Sequence, residues 1–352
     1  MLLKKNERGL NDHVSIVKGI AIMLMLLGHS GMPWCGHMLS MIRMPIFVIA
    51  SGYCFKDYYL THRLTFVRRR GKSLYWPFVK WSAIFVLLHN VFCYLGLYNS
   101  DELLYGWRDM LSQVPQILVM REPEPLVGGI WFVRELFFAT MLFIAFSFLI
   151  KRKPLLWVAI FVAVAVTLNV MGLHFKLRDV SLMAASYYTL GYWVRGRTLR
   201  HDWWVILLLL AILATSAQFV PGNFQKMNAA WVVPNYATVM VGAWMVAAIA
   251  YHIDTHGGWL PRAIAYVGNH TLIILVMHFL SMRLVSWCIV LCTGMPKECL
   301  SHHPVIKDCV WAWPFYFVAG LMLPLAFDFV NKRFWKSLSR IPKMLKSGEK
   351  VS

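Results

Sequence analysis

The stretch VKGIAIMLMLLGHS at 17–30 decides the fold, because it has the composition of a membrane-spanning helix with an ionisable residue near each end. Ten apolar or glycine residues separate Lys18 from His29. Eleven positions on an α-helix make about three turns and about 16 Å, so both side chains lie on one stripe of the helix. An ionisable side chain at membrane depth is costly, which makes His29 a candidate for function.

The composition predicts a membrane protein. Of 352 residues, 59% are hydrophobic and 14% are charged, and the mean hydropathy is +0.57. Lipid cannot hydrogen-bond an exposed backbone, so each crossing must be a helix of about 20 residues or part of a closed barrel. The apolar runs are continuous rather than alternating, which favours helices. We therefore predict one all-α, polytopic helical bundle over 1–352, with the first run retained as a span.

The apolar runs predict about ten transmembrane helices. They are 14–31, 38–55, 74–96, 130–150, 154–173, 180–195, 203–220, 232–252, 263–285 and 310–330.

Lysine and arginine residues concentrate in the segments that lie on one side of these spans, which predicts that both termini are cytoplasmic. The loops 97–129 and 294–309 are then outside. The net charge of +19 follows from this asymmetry and from contact with anionic headgroups, so we predict no nucleic-acid partner. The basic tail at about 331–352 is interpreted as a solvated or lipid-facing anchor rather than a docking site.

The predicted topology brings several ionisable residues to the outer half of the bundle. Trp131, Arg134 and Glu135 are three and four positions apart and present one helix face. An aromatic platform beside hydrogen-bonding groups suits a sugar-like polyol. Two interpretations stay open, since Arg134 and Glu135 could instead form a structural ion pair with Trp131 as an interfacial anchor. The outer half also receives His29, Arg43 and His278.

The remaining cysteine and histidine patterns indicate little chemistry. Cys299 and Cys309 share the last outer loop, and whether they are bridged stays open. The sequence SHHP at 301–304 lacks further ligands at suitable spacing, so we predict no metal site.

Four segments carry a resemblance to the membrane acyltransferase-3 family. KGIAIMLMLLGHS resembles its first-helix signature, a basic residue and a histidine separated by ten residues. RMPIFVIASGY at 43–53 is similar to HMPLFFFLSGY, IWFVRELF at 130–137 to LWFL..LF, and YVGNHTLIILVMHF at 266–279 to IGRNSLWIYLLHF. The lysine in the first helix resembles the fucose 4-O-acetylase-like branch.

Two positions depart from the family pattern. Ser15 replaces an acidic residue that often precedes the basic one, so an expected charge partner of Lys18 is missing. Arg43 replaces a histidine, and it cannot act as a base at physiological pH. Arginine can still bind an anion or position a hydroxyl.

The resemblance implies transfer of an acyl group, usually acetyl, from acetyl-CoA to a hydroxyl of a cell-envelope glycan or its lipid-linked precursor. The expected partners are acetyl-CoA as co-substrate, a carbohydrate or glycolipid acceptor and the lipid bilayer of a bacterial inner membrane, with no tightly bound cofactor. His29 would act as general base or as a transient acyl carrier. Arg134, Asn269 and His278 are candidates for holding the oxyanion, and Lys18 for attracting the phosphates of the donor.

Two other classes remain alternatives. Ten apolar helices with buried histidine, arginine and glutamate also fit a proton-coupled or polysaccharide-precursor transporter. A structural or assembly membrane protein is the third class.

Overall fold

The computed structural model describes residues 12–34, 36–98, 103–121, 124–173, 179–221 and 229–338. Both chain termini, and with them residues 339–352 of the predicted basic anchor, lie outside the described residues. Within these ranges the chain is helical and contains no strand, as the apolar pattern predicts.

Fourteen α-helices are described. They are α1 Asp12–His29, α2 Gly36–Tyr53, α3 Tyr58–Thr61, α4 Arg63–Arg70, α5 Trp76–Tyr94, α6 Trp107–Leu118, α7 Trp131–Arg152, α8 Pro154–Val170, α9 Asp179–Val194, α10 Trp203–Phe219, α11 Val232–His256, α12 Trp259–Asn269, α13 Thr271–Thr293 and α14 Trp313–Leu338.

Shorter helical turns connect several of them. A π-helical turn, Gly71–Tyr75, joins α4 to α5, and 3-10 turns cover Pro125–Ile130, Ala229–Trp231, Lys297–Ser301 and Val310–Ala312.

Six helical segments in the described part of the chain are long and apolar enough to cross a membrane. They are Asp12–His29, Arg63–Tyr94, Pro125–Arg152, Ala229–His256, Thr271–Thr293 and Val310–Phe334. Two further apolar helices, α8 and α10, are shorter than a full crossing. The structure therefore supports a helical membrane protein, while the predicted count of ten spans is not confirmed.

The predicted span 263–285 is divided in the structure. Helix α12 ends at Asn269, His270 leaves the helical conformation, and α13 begins at Thr271 and continues to Thr293. Gly268 and Asn269 are weak helix formers, which is consistent with a break at this point. The predicted span 263–285 therefore covers parts of two helices, and the apolar crossing runs from Thr271 to Thr293.

Helix α1 lies in the middle of the bundle, where it contacts α2, α11, α12, α13 and α14. Its approach to α12 is very close, because a Cβ atom built on Gly268 would lie 1.8 Å from the carbonyl oxygen of Ser15. A Cβ atom on Gly19 would lie 2.2 Å from the carbonyl oxygen of Ile264. Small residues therefore fix α1 against α12.

Helices α2 and α9 cross through a reciprocal pair of glycines. A Cβ atom on Gly52 would lie 2.0 Å from the carbonyl oxygen of Tyr188, and one on Gly191 would lie 2.0 Å from that of Ile49. Neither position has room for a side chain. The two helices consequently touch backbone to backbone.

Candidate active site

The last residue of α1, His29, meets two aromatic rings of α13. The ring centroids of His29 and His278 are 5.5 Å apart, and the Phe279 ring meets His29 edge-on at 5.1 Å. His278 and Phe279 are themselves in contact, with centroids 4.0 Å apart. We call His29 and His278 the imidazole pair. The structure brings together two predicted site residues that are 249 positions apart in the sequence.

The hydrogen bonds of His278 define which of its nitrogens carries a proton. Nδ1 lies 2.8 Å from the carbonyl oxygen of Leu275 and 3.2 Å from that of Ile274. A carbonyl oxygen can only accept, so Nδ1 is the donor and the neutral ring has its lone pair on Nε2. The side chain is fully buried, and none of the described residues offers a hydrogen-bond partner to Nε2.

A glycine pair in the turn Pro125–Ile130 packs against this face of α13. A Cβ atom on Gly129 would lie 2.5 Å from the carbonyl oxygen of Leu275 and 2.7 Å from Cε1 of His278. On the neighbouring Gly128, a Cβ atom would be in ordinary contact with Phe279, at 3.4 Å. Gly129 therefore allows the turn to hold the His278 ring in place.

Arg43 of α2 brings a positive charge to the imidazole pair. Its Nη1 lies so close to Gly28 that a Cβ atom there would approach it to 2.0 Å. The same nitrogen lies 3.4 Å from the carbonyl oxygen of Met25, and Arg43 is an electrostatic neighbour of both histidines. The glycine before His29 is needed to accommodate this guanidinium.

His303 is a site residue that the sequence reasoning missed. Its ring lies 4.5 Å from that of Phe279, and it is an electrostatic neighbour of His29 and His278. Partial burial lowers the pKa of His303 below its ordinary value, and the positive charge of Arg283 lowers it further. The sequence identified 301–304 only as a weak metal motif, and no local pattern indicates that this loop folds back over α13.

Arg134 and Glu135 form a buried ion pair, 2.7 Å between Nη2 and Oε1, and Nε of Arg134 donates to the same oxygen. The other carboxylate oxygen, Oε2, accepts a hydrogen bond from the hydroxyl of Ser181 in α9. Both oxygens of Glu135 are therefore used within the protein. Trp131 packs its ring against Phe132, 6.0 Å between centroids. This geometry favours the structural interpretation of Arg134 and Glu135.

Asn269 and Lys18 lie toward the opposite end of α1 from the imidazole pair. Oδ1 of Asn269 accepts a hydrogen bond of 3.0 Å from the hydroxyl of Ser15. Ser15 precedes His29 by fourteen positions, or about 21 Å along the helix. The structure does not place Asn269 beside His29. Lys18 has Arg70 and Cys54 as its electrostatic neighbours.

The thiols of Cys299 and Cys309 are both free. Within the described residues, no group of three or more histidine, cysteine, aspartate or glutamate side chains could hold a metal ion.

Comparison with known families decides what kind of protein carries this site. A family model described as acyltransferase domain, that of acyltransferase 3, matches residues 11–289. The chain belongs to the acyltransferase-3 family. This acyltransferase is a membrane protein by its apolar helices and by its family. Searches of curated proteins and of solved structures gave no significant match.

The matched segment of the acyltransferase runs from the start of α1 to near the end of α13, so it contains the imidazole pair, Arg43 and the turn around Gly129. His303 lies beyond it. Membership of the fucose 4-O-acetylase-like branch stays a prediction.

Proposed function

We propose that this acyltransferase moves an acetyl group from acetyl-CoA to a hydroxyl of a cell-envelope glycan or its lipid-linked precursor. It would do so in a bacterial inner membrane with both termini in the cytoplasm. The observation that carries the proposal is the imidazole pair, which sets a buried nitrogen lone pair of His278 beside the ring of His29.

Imidazole suits this chemistry. A sugar hydroxyl is a poor nucleophile, and a neutral imidazole that removes its proton during attack contributes about 10²–10⁴-fold to the rate. His29 acts as that base or as a transient acyl carrier. Attack on the thioester carbon creates an oxyanion, and the guanidinium of Arg43, which lies close to Gly28 beside His29, would stabilise it. The other oxyanion candidates fit less well, since Arg134 is paired with Glu135 and Asn269 is bonded to Ser15.

The end of α1 that carries Lys18 is suited to bind the phosphates of acetyl-CoA. Lys18 and Arg70 are electrostatic neighbours of like charge, and among the described residues Nε of Arg70 is buried without a hydrogen-bond partner. An anion such as a phosphate of acetyl-CoA would offset the repulsion between these two cations. The pantetheine arm would then run along α1 for the three turns that separate Lys18 from His29.

A labelled donor separates this function from a transporter or an assembly protein. The purified protein in lipid vesicles receives acetyl-CoA labelled in the acetyl group, together with a glycan and glycolipid fraction from bacterial envelopes. We expect labelled ester in the acceptor fraction with the natural chain and none with His29→Gln. A transporter or scaffold would leave no ester with either, and that result would overturn the proposal. Comparing O-acetylated envelope glycans with and without the protein would identify the acceptor.

A further inference from the structure

The buried Nε2 nitrogen of His278 indicates how the catalytic roles are divided between His278 and His29. Its Nδ1 hydrogen is committed to the Leu275 carbonyl, and its Nε2 lone pair faces no partner. A buried polar atom without a partner is costly, by about 1–3 kcal/mol. The observation therefore points to a group of the substrate that supplies the missing hydrogen.

A lone pair at Nε2 of His278 excludes a role in stabilising an oxyanion and fits the role of a general base. A neutral ring with its hydrogen on Nδ1 cannot donate from Nε2, so it cannot stabilise an oxyanion. The same nitrogen can accept the hydrogen of a hydroxyl group and then its proton. We propose that Nε2 of His278 is the general base toward the acceptor hydroxyl and that His29 carries the acyl group. This inference rests on the proposed function.

The packing of the ring supports this assignment. Gly129 packs closely beside Cε1 of His278, and the hydrogen bond from the adjacent Nδ1 to Leu275 fixes the same edge of the ring. A base held in one orientation needs no reorganisation before it accepts a proton. The ring of His29 lies at the end of α1 and is less buried than that of His278. Greater exposure is expected of the group that meets the thioester.

The steps balance with these two rings alone. A ring nitrogen of His29 attacks the thioester carbon, the carbon–sulfur bond breaks, and the other ring nitrogen of His29 gives its proton directly to the departing thiolate, which leaves as CoA thiol. The acceptor oxygen then attacks the acetyl carbon while its proton moves to Nε2 of His278. His278 passes that proton to the His29 nitrogen that lost one in the first step, the carbon–nitrogen bond breaks, and both rings regain their starting protonation.

Two nucleophiles of different strength test the assignment. Hydroxylamine attacks an acylated imidazole without base catalysis, whereas an alcohol needs it. Release of CoA thiol from acetyl-CoA is measured with glycerol and with hydroxylamine for the natural chain, His278→Gln and His29→Gln in the same vesicles. His278→Gln should lower transfer to glycerol by about 100-fold and transfer to hydroxylamine by less than about threefold. His29→Gln should lower both reactions to the rates measured without protein.

The neighbouring glycines provide a matched pair of variants. Gly129→Ala displaces the His278 ring, so it should lower glycerol transfer while sparing hydroxylamine, and Gly128→Ala should leave both rates near those of the natural chain. Hydroxylamine turnover reports that each variant is folded.

Each contrary result has a distinct meaning. Equal loss of both reactions in His278→Gln would overturn the base assignment, since a structural role affects every nucleophile. Retained hydroxylamine turnover in His29→Gln would overturn the acyl-carrier role. Absence of CoA release by the natural chain with either nucleophile would instead contradict acetyl-CoA as the donor, and with it the proposed function.

Discussion

At the scale of single residues, the proposed mechanism assigns a different task to each end of α1. His29 contacts the imidazole of His278. Lys18, about three helical turns away along α1, has the cation Arg70 as an electrostatic neighbour. Substitutions at the two positions should therefore change different kinetic constants.

Lys18→Ala should raise the KM for acetyl-CoA about tenfold or more, because it removes a charge-assisted contact with phosphate. The kcat should change little, since the imidazole pair is untouched. Lys18→Arg serves as the matched control and should retain the natural KM, because it keeps the charge. Steady-state CoA release at varied acetyl-CoA concentration measures both constants. A fall in kcat at unchanged KM would contradict the phosphate role of Lys18.

Glu135→Gln should lower the free energy of unfolding by about 3–5 kcal/mol, because it leaves Arg134 as an uncompensated buried charge. Ser181→Ala removes one hydrogen bond to the same carboxylate and should cost about 1.5–3 kcal/mol. Thermal and denaturant unfolding in detergent measures both. If Glu135→Gln instead abolished acyl transfer at unchanged stability, the structural interpretation would be wrong. An acceptor pocket formed with Trp131 would then be favoured.

At the scale of elements, close helix crossings hold the bundle. Gly52→Ala should cost about 1–3 kcal/mol, because its new methyl group would overlap the Tyr188 carbonyl of α9. Gly36→Ala is the control on the same helix, where a Cβ atom meets nothing within 4 Å, and it should change stability by less than about 0.5 kcal/mol. Melting midpoints of the two variants give the comparison. Equal midpoints would show that the crossing can relax.

The loop that contains His303 should make stability depend on pH. Because the folded pKa of His303 lies below its unfolded value of about 6.5, the unfolded chain binds the proton more readily. Stability is then fully present above about pH 6.5 and is lost as the pH falls below it. His303→Gln should flatten this part of the curve, measured as the melting midpoint between pH 7.5 and pH 5.5. An unchanged slope in the variant would assign the pH dependence to another group.

At the scale of the whole molecule, the topology is testable with two exposed leucines. Leu64 in α4 is 73% exposed and Leu103 before α6 is 81% exposed, and they belong to segments predicted on opposite sides. In a background without the seven native cysteines, Leu103→Cys should react with a membrane-impermeant maleimide in intact cells. Leu64→Cys should react only after permeabilisation. The reverse pattern would invert the orientation and place both termini outside.

The sequence predicts the helical class and α1 well, because a long apolar run with one ionisable residue at each end has few other solutions in lipid. The break at His270 coincides with the short polar run GNHT at 268–271, which the predicted span 263–285 includes in one helix. The pairing of Arg134 with Glu135 is one of the two interpretations that the sequence leaves open, and the hydrogen bond from Ser181 that favours it depends on how α9 packs against α7.

The site itself is predictable only in part. His29 and His278 can be selected as ionisable residues at membrane depth, but their contact depends on how α1 packs against α13. The Nδ1 hydrogen of His278 depends on a carbonyl one helical turn away and the ring position on Gly129, which no periodicity connects. His303 reaches the site through a loop whose path is set by tertiary contacts.

The reciprocal glycines of α2 and α9 have a consequence for temperature. Their α-hydrogens face the carbonyl oxygens of Tyr188 and Ile49, and such C–H···O contacts contribute about 0.5–1 kcal/mol each. They are electrostatic and release no ordered water, so they lack the heat-capacity signature of apolar burial. On cooling, when the hydrophobic contribution to soluble domains weakens, this crossing should keep its strength. The acyltransferase would then hold these two helices together in a cold membrane as firmly as in a warm one.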